Sequence, residues 1–94
     1  MCNPLEYLKG WSTMKNDNII KYRDEFISVG LKIGYIRRQR GMTQEQLAER
    51  AGISSGFLSQ IEAPSMAVGI SLATLFSIAE ALNVSPHKLL EFDI

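Results

Sequence analysis

From Ile19 the apolar positions run Ile19, Tyr22, Phe26, Val29, Ile33 and Ile36, spaced alternately by three and four. Such spacing puts all six on one side of a helix, as a seam of heptad character. Two glycines interrupt it. Gly30 and Gly34 are each less favourable than alanine inside a helix by roughly 1 kcal/mol, which predicts a bend or break near Gly30, and Gly41 supplies the stop.

The second half is punctuated more sharply. Thr43 followed three residues on by Gln46 forms a capping box, opening a helix whose inward face is Leu47, Ala48 and Ala51. Gly52 ends it. Ser54 caps a third helix that buries Leu58 and Ile61, and Pro64 forbids its continuation. Ser71 caps a fourth with Leu72, Leu75, Ile78, Ala79 and Leu82 inward, and Ser85 before Pro86 opens a last one carrying Leu89 and Leu90. No segment alternates apolar and polar residues over the length of a strand, and no internal repeat is visible. The pattern predicts an all-α, compact five-helix bundle.

Upstream the signals weaken. "NPLEYLKG" has Asn3 as N-cap, Pro4 at the first helical position and Gly10 as a stop, enough for a turn or two or for a frayed tail. Ser12 to Asn18 read as a polar linker, in which Met14 is an alternative start that would make the first thirteen residues dispensable. The chain therefore divides into an N-terminal extension, 1–28, helical from about 19, and a domain over 29–94.

At 94 residues and 46% hydrophobic content there is material for one small domain and not for two. No run of eighteen apolar residues and no secretory signal pattern is present, so a soluble, cytoplasmic protein without membrane contact is expected. Cys2, the only cysteine, cannot form a disulfide within the chain, and His87, the only histidine, has no ligand set around it, so no metal site is expected. No nucleophile, base and orienting group occur together, there is no carboxylate pair and no glycine-rich phosphate loop; no catalytic residue and no cofactor are assigned, and the chain is not read as an enzyme.

Ten basic and ten acidic residues cancel, so the overall positive field of a nucleic-acid binder is missing. Its distribution is uneven. Arg37, Arg38 and Arg40 lie within one turn, and no acidic residue falls between Glu25 and Glu45. That local positive region precedes a pair of short helices with a glycine between them. In a helix-turn-helix the first helix ends in glycine because one turn residue needs a positive φ, and a small residue within it lets the second helix cross closely; Gly52 and Ala48 meet those two requirements.

"VGLKIGYIRRQRGMTQEQLAERAGISSGFLSQIE" followed by "SLATLFSIAEALNVSPHKLLEF" resembles the Cro/repressor-type, or XRE-like, helix-turn-helix family of bacterial transcriptional regulators, over Val29 to about Phe92. The resemblance implies a sequence-specific double-stranded DNA-binding regulator, homodimeric on a palindromic operator. Gln44 to Ala51 would be the positioning helix and Ser54 to Ile61 the recognition helix. It further implies phosphate contact by Gln44, with Thr43 and Arg40 beside it, a structural ion pair between Arg37 and Glu62, and base-edge contacts from Ser54, Ser55, Gly56, Ser59 and Gln60.

Departures from that family qualify the reading. Ser55 and Gly56 stand where arginine or glutamine is frequent, and no charge occurs between Arg50 and Glu62. Gln60 is the one long polar side chain there; glutamine can bond adenine bidentately, worth roughly 1–3 kcal/mol of discrimination, while serine reads bases poorly. Weak direct readout is expected, with DNA shape supplying the rest. The following "APSMAVGI" is apolar, uncharged and about two residues longer than the family's loop. Met66, Val68 and Ile70 in it either cover the domain's own core or form a dimer contact, and the seam of Ile19, Tyr22 and Phe26, which continues beyond what the five-helix core should need to bury, is expected to be a dimer surface. Phe57, Phe76 and Phe92 read as core or interface rather than base-stacking groups, and Tyr35 as surface.

The expectation is a regulator that is little more than its DNA-binding domain, with no room for a ligand-sensing one. The alternative is a protein-interaction module, antitoxin-like, on a helix-turn-helix scaffold that has lost its readout and binds a protein partner. Neutral net charge and the Ser55-Gly56 tip favour it; the capping box and the resemblance favour DNA binding.

Overall fold

A computed structural model describes residues 19–91, whose regular elements are all helical, with no strand among them. Cys2, the Asn3–Gly10 turn, the linker and Phe92 lie outside the described residues. One helical turn at Ile19–Lys21 leads through Tyr22 into α1 (Arg23–Gln39), followed by α2 (Gln44–Ala51), α3 (Ser55–Glu62), α4 (Leu72–Leu82) and a 3-10 turn (Pro86–Leu90). α1 packs across α3, α2 is sandwiched between α3 and α4, and the 3-10 turn closes the bundle against α1 and α4.

Each boundary has a local cause. Thr43 Oγ1 accepts the Gln46 amide at 3.1 Å while Gln46 Oε1 accepts the Thr43 amide at 2.9 Å, a reciprocal box that satisfies two of the N-terminal donors of α2. Ser54 and Ser71 accept the amides of Phe57 and Thr74 at 3.0 and 3.1 Å and open α3 and α4 in the same way. α4 stops at Asn83, a left-handed cap at φ 58°, with its amide on Glu80.

Ile33, Leu47, Leu58, Ile78, Leu82 and Leu89 are fully buried, and Val29, Ile36, Ala48, Ala51, Ile61, Leu75 and Ala79 complete the core. The inward positions of α2 and α3 read from the sequence are all in it. Three other expectations are corrected. α1 does not break at Gly30 but runs unbroken from Arg23 to Gln39, and the space a side chain would occupy at Gly30 is taken by the Ile61 carbonyl of α3. Leu72 does not point inward: it is 66% exposed at the first position of α4, and Val68 and Ile70 from the preceding loop pack against the core instead. The last helix is a five-residue 3-10 turn that buries Leu89 and leaves Leu90 exposed.

Candidate nucleic-acid interface

The turn between α2 and α3 fixes how α3 is presented. Gly52 adopts φ 73°, a left-handed conformation that costs an L side chain but not glycine, and Ile53 N–H returns to the Ala48 carbonyl at 3.0 Å. α3 then lays Leu58 and Ile61 into the core, with Phe57 half-buried beside them, and turns Ser55, Gly56, Ser59 and Gln60 outward. Nothing lies within 4 Å of the point where a Gly56 side chain would begin, so this face is open to whatever approaches it. Ser54 is exposed too, although its Oγ already serves as the α3 cap.

Behind that face sits the only buried pair of charges among the described residues. Arg37 of α1 meets Glu62 at the end of α3 side-on, Nε on Oε2 at 2.9 Å and Nη2 on Oε1 at 2.9 Å, while Arg37 Nη1 donates to the Met42 carbonyl at 2.8 Å. Gln44, at the first position of α2, donates its amide to Glu62 Oε1 at 3.1 Å. Every buried side-chain nitrogen and oxygen of the described residues is partnered. Burying two charges is tolerable only when their hydrogen bonds are made in full. Here they are, by groups from α1, the α1–α2 corner, the start of α2 and the end of α3, so α3 is held at its C-terminus to everything around it. Gly34 leaves the room: a methyl built there would lie 3.0 Å from Glu62 Oε1 and 3.2 Å from Arg38 Nη1.

The residues read as phosphate contacts all lie at the corner before α2, with part of their capacity engaged within the chain. Thr43 Oγ1 is in the capping box, the half-buried Gln44 has one amide hydrogen on Glu62, and Arg40 Nε donates to the Leu82 carbonyl at 3.0 Å, where it neutralises the C-terminal end of α4. Gln44 keeps its second amide hydrogen, Arg40 its two terminal nitrogens and Thr43 its hydroxyl hydrogen. Exposed Arg38 and Arg50 flank the same corner in sequence.

The residues read as candidate dimer contacts separate. Tyr22 and Met66 are 43% and 45% exposed, whereas Val68 and Ile70 pack against the core, and Ile19 and Phe26 close on Gly69 of the same chain. Leu72 and Phe76, one turn apart on α4, are also exposed.

Sequence reasoning did not find the Gln44–Glu62 bond, the Met42 carbonyl, or the Arg40–Leu82 contact, each of which joins residues far apart in the chain or uses a main-chain atom. Asn83 did carry a signal, since asparagine is among the few non-glycine residues that enter the left-handed region readily.

A family model described as Helix-turn-helix matches residues 33–89. Among curated proteins, the chain is 36% identical over 61 residues to the HTH-type transcriptional regulator y4dJ of Sinorhizobium fredii, covering 65% of this chain and 77% of that one. It is 33% identical over 63 residues to the HTH-type transcriptional regulator SinR of Bacillus subtilis, covering 67% of this chain and 56% of SinR. It is 41% identical over 58 residues to the immunity repressor protein of Bacillus phage phi105, covering 62% and 39%. The matched stretch thus spans about half of SinR and less of the phage repressor. Of solved structures, the clp gene regulator ClgR from C. glutamicum superposes with a TM-score of 0.62 at 30% identity, over 68% of this chain and 80% of that one. The restriction-modification controller protein C.AhdI from Aeromonas hydrophila shares the fold, with a TM-score of 0.65 at 24% identity over 70% of this chain and 97% of its own.

Proposed function

The chain belongs to the Cro/repressor-type (XRE-like) family of DNA-binding helix-turn-helix transcriptional regulators, and from that premise we propose that it binds a palindromic operator as a cytoplasmic homodimer, with α3 in the major groove. The observation that carries this reading is the four-residue network of Arg37, Met42, Gln44 and Glu62, which anchors α3 while its polar face of Ser55, Gly56, Ser59 and Gln60 stays exposed. A helix that reads base edges has to be rigid relative to the groups that grip the backbone, because phosphate contacts set register and base contacts use it. One network serves both ends: Gln44 stands at the corner that would meet phosphate, and Glu62 ends the helix that would meet bases.

Base reading falls to Gln60, with Ser54, Ser55 and Ser59 as weak partners and Gly56 allowing close approach of the backbone. Thr43, Gln44 and the free nitrogens of Arg40 would hold phosphate. Two-fold assembly follows from this economy, since one domain with little side-chain readout and no net positive charge competes poorly for a site in a genome, while two on one frame roughly add their binding energies. Recognition helices about 34 Å apart would face successive turns of the major groove.

Selection from a random double-stranded DNA pool with purified protein at low salt tests the reading. Recovery of a palindrome, together with a dimer by sedimentation at tens of micromolar, is the expected result. Recovery of no sequence would move the assignment to the second reading, a protein-interaction module, which the uncharged outer face of α3 and the exposed Leu72 and Phe76 favour.

A further inference from the structure

Residues 19–32 precede the segment that the family model matches, 33–89, yet part of this lead-in is packed. Ile19 and Phe26, seven residues apart and half-buried, share the face turned toward the loop between α3 and α4, while Ile20 and Tyr22 are 73% and 43% exposed. The meeting point is Gly69. A methyl built on it would sit 3.0 Å from Ile19 Cδ1, 3.1 Å from Ile19 Cγ1 and 3.9 Å from Phe26 Cζ. On either side of Gly69 the loop sends Val68 and Ile70 against the core. Among the described residues its turn and capping bonds lie at its two ends, Ala63 N–H on Gln60 and Met66 N–H on Ala63 at 3.3 and 3.4 Å, and Thr74 N–H on Ser71 Oγ at 3.1 Å. Side-chain packing is therefore what holds the stretch around Gly69: Val68 and Ile70 from beneath, Ile19 and Phe26 from above.

The same face of α1 continues to the exit of α3, where Gly30 lies against the Ile61 carbonyl. We infer that the segment from Ile19 to Phe26 is a brace that clamps the α3–α4 loop at Gly69 and so sets the C-terminal end of α3, making Ile19, Phe26 and Gly69 positioning residues for the helix presented to DNA. The inference deepens the DNA-binding reading and rests on it for its functional consequence, although the brace itself is a packing relationship that can be measured without DNA. A loop held only by side chains opens locally when one layer of them is removed. Such opening lets α3 tilt, which weakens operator binding although no base-contacting group is altered.

The experiment uses the full chain. Native-state cleavage within residues 65–71 by a broad-specificity protease is followed for the parent and for Ile19→Ala with Phe26→Ala. Loop cleavage about tenfold faster, with the thermal melt still cooperative, is expected for loss of a clamp of this size; equal loop cleavage in parent and variant overturns the brace. A steric exchange keeps the test free of simple unfolding: Gly69→Leu alone must displace Ile19, and Ile19→Ala in the same chain makes room for it. Protection recovered in that double variant supports the contact, and effects that merely add show that positions 19 and 69 do not meet. Affinity of the Ile19→Ala, Phe26→Ala protein for the selected operator is read last, with a loss of about threefold to tenfold expected. If the parent selects no DNA, the DNA-binding reading fails while the cleavage data still decide the brace.

Discussion

Gly30 of α1 rests directly on the carbonyl of Ile61 in α3: a Cβ at Gly30 would fall far inside contact distance of that oxygen. The obstruction is main chain at the last turn of the presented helix, so it cannot rotate away as a side-chain tip would.

Gly30→Ala sets two effects against each other. Alanine gains roughly 1 kcal/mol of helix propensity in α1, while forcing α1 and α3 apart costs about 1–3 kcal/mol or more, as overpacking does in tight interiors. We expect the second to win and the variant to unfold at lower urea concentration. A variant as stable as the parent would mean that the helices separate freely and that Gly30 is not a contact point.

Arg37→Ala leaves the Glu62 carboxylate buried with only Gln44, and Glu62→Ala strands the guanidinium; each should cost about 3–5 kcal/mol, the range for breaking a buried pair from one side. Arg37→Lys should rescue little, because a single ammonium cannot make the side-on pair and reach the Met42 carbonyl together. Thermal melts of the three variants check this, and a lysine variant that melts like the parent contradicts the geometric argument.

Gln44→Ala should lower affinity for all DNA sequences alike, since phosphate carries no sequence information, whereas Gln60→Ala should relax preference at one or two base pairs per half-site. Binding profiles of the two variants over a sequence pool separate the roles; identical profiles for the parent and Gln60→Ala would remove Gln60 from base reading. With net charge zero, the slope of log affinity against log salt should be shallow for a dimer on DNA.

Asn83 ends α4 at φ 58°. Asn83→Ala should destabilise by about 1 kcal/mol, the order of the left-handed penalty for a residue with a Cβ, and Asn83→Gly should match or exceed the parent. Equal melting of the alanine and glycine variants would show that the cap carries no strain.

Much of the architecture was decided by the sequence alone, because its determinants are local. A capping box joins residues three apart, Gly52 and Pro64 act on their own backbone, and the period of Leu47, Ala48, Ala51, Leu58 and Ile61 marks one side of each helix before any partner is known. Where a position depends on what meets it in space, sequence and structure part. Gly30 looks like a weak point along the chain and is a contact point across it; Leu72 fits the inward period of α4 and is displaced by Val68 and Ile70 from the loop; Pro86 signals a helix start, and only the 3-10 turn brings Leu89 into the core. Spacing cannot bring Arg37 to Glu62, Gln44 to the same carboxylate, or Arg40 to Leu82, separated by 25, 18 and 42 residues. Those contacts exist because the crossing of α1 over α3, made possible by two glycines four residues apart, closes the bundle at the point where the charges can pair.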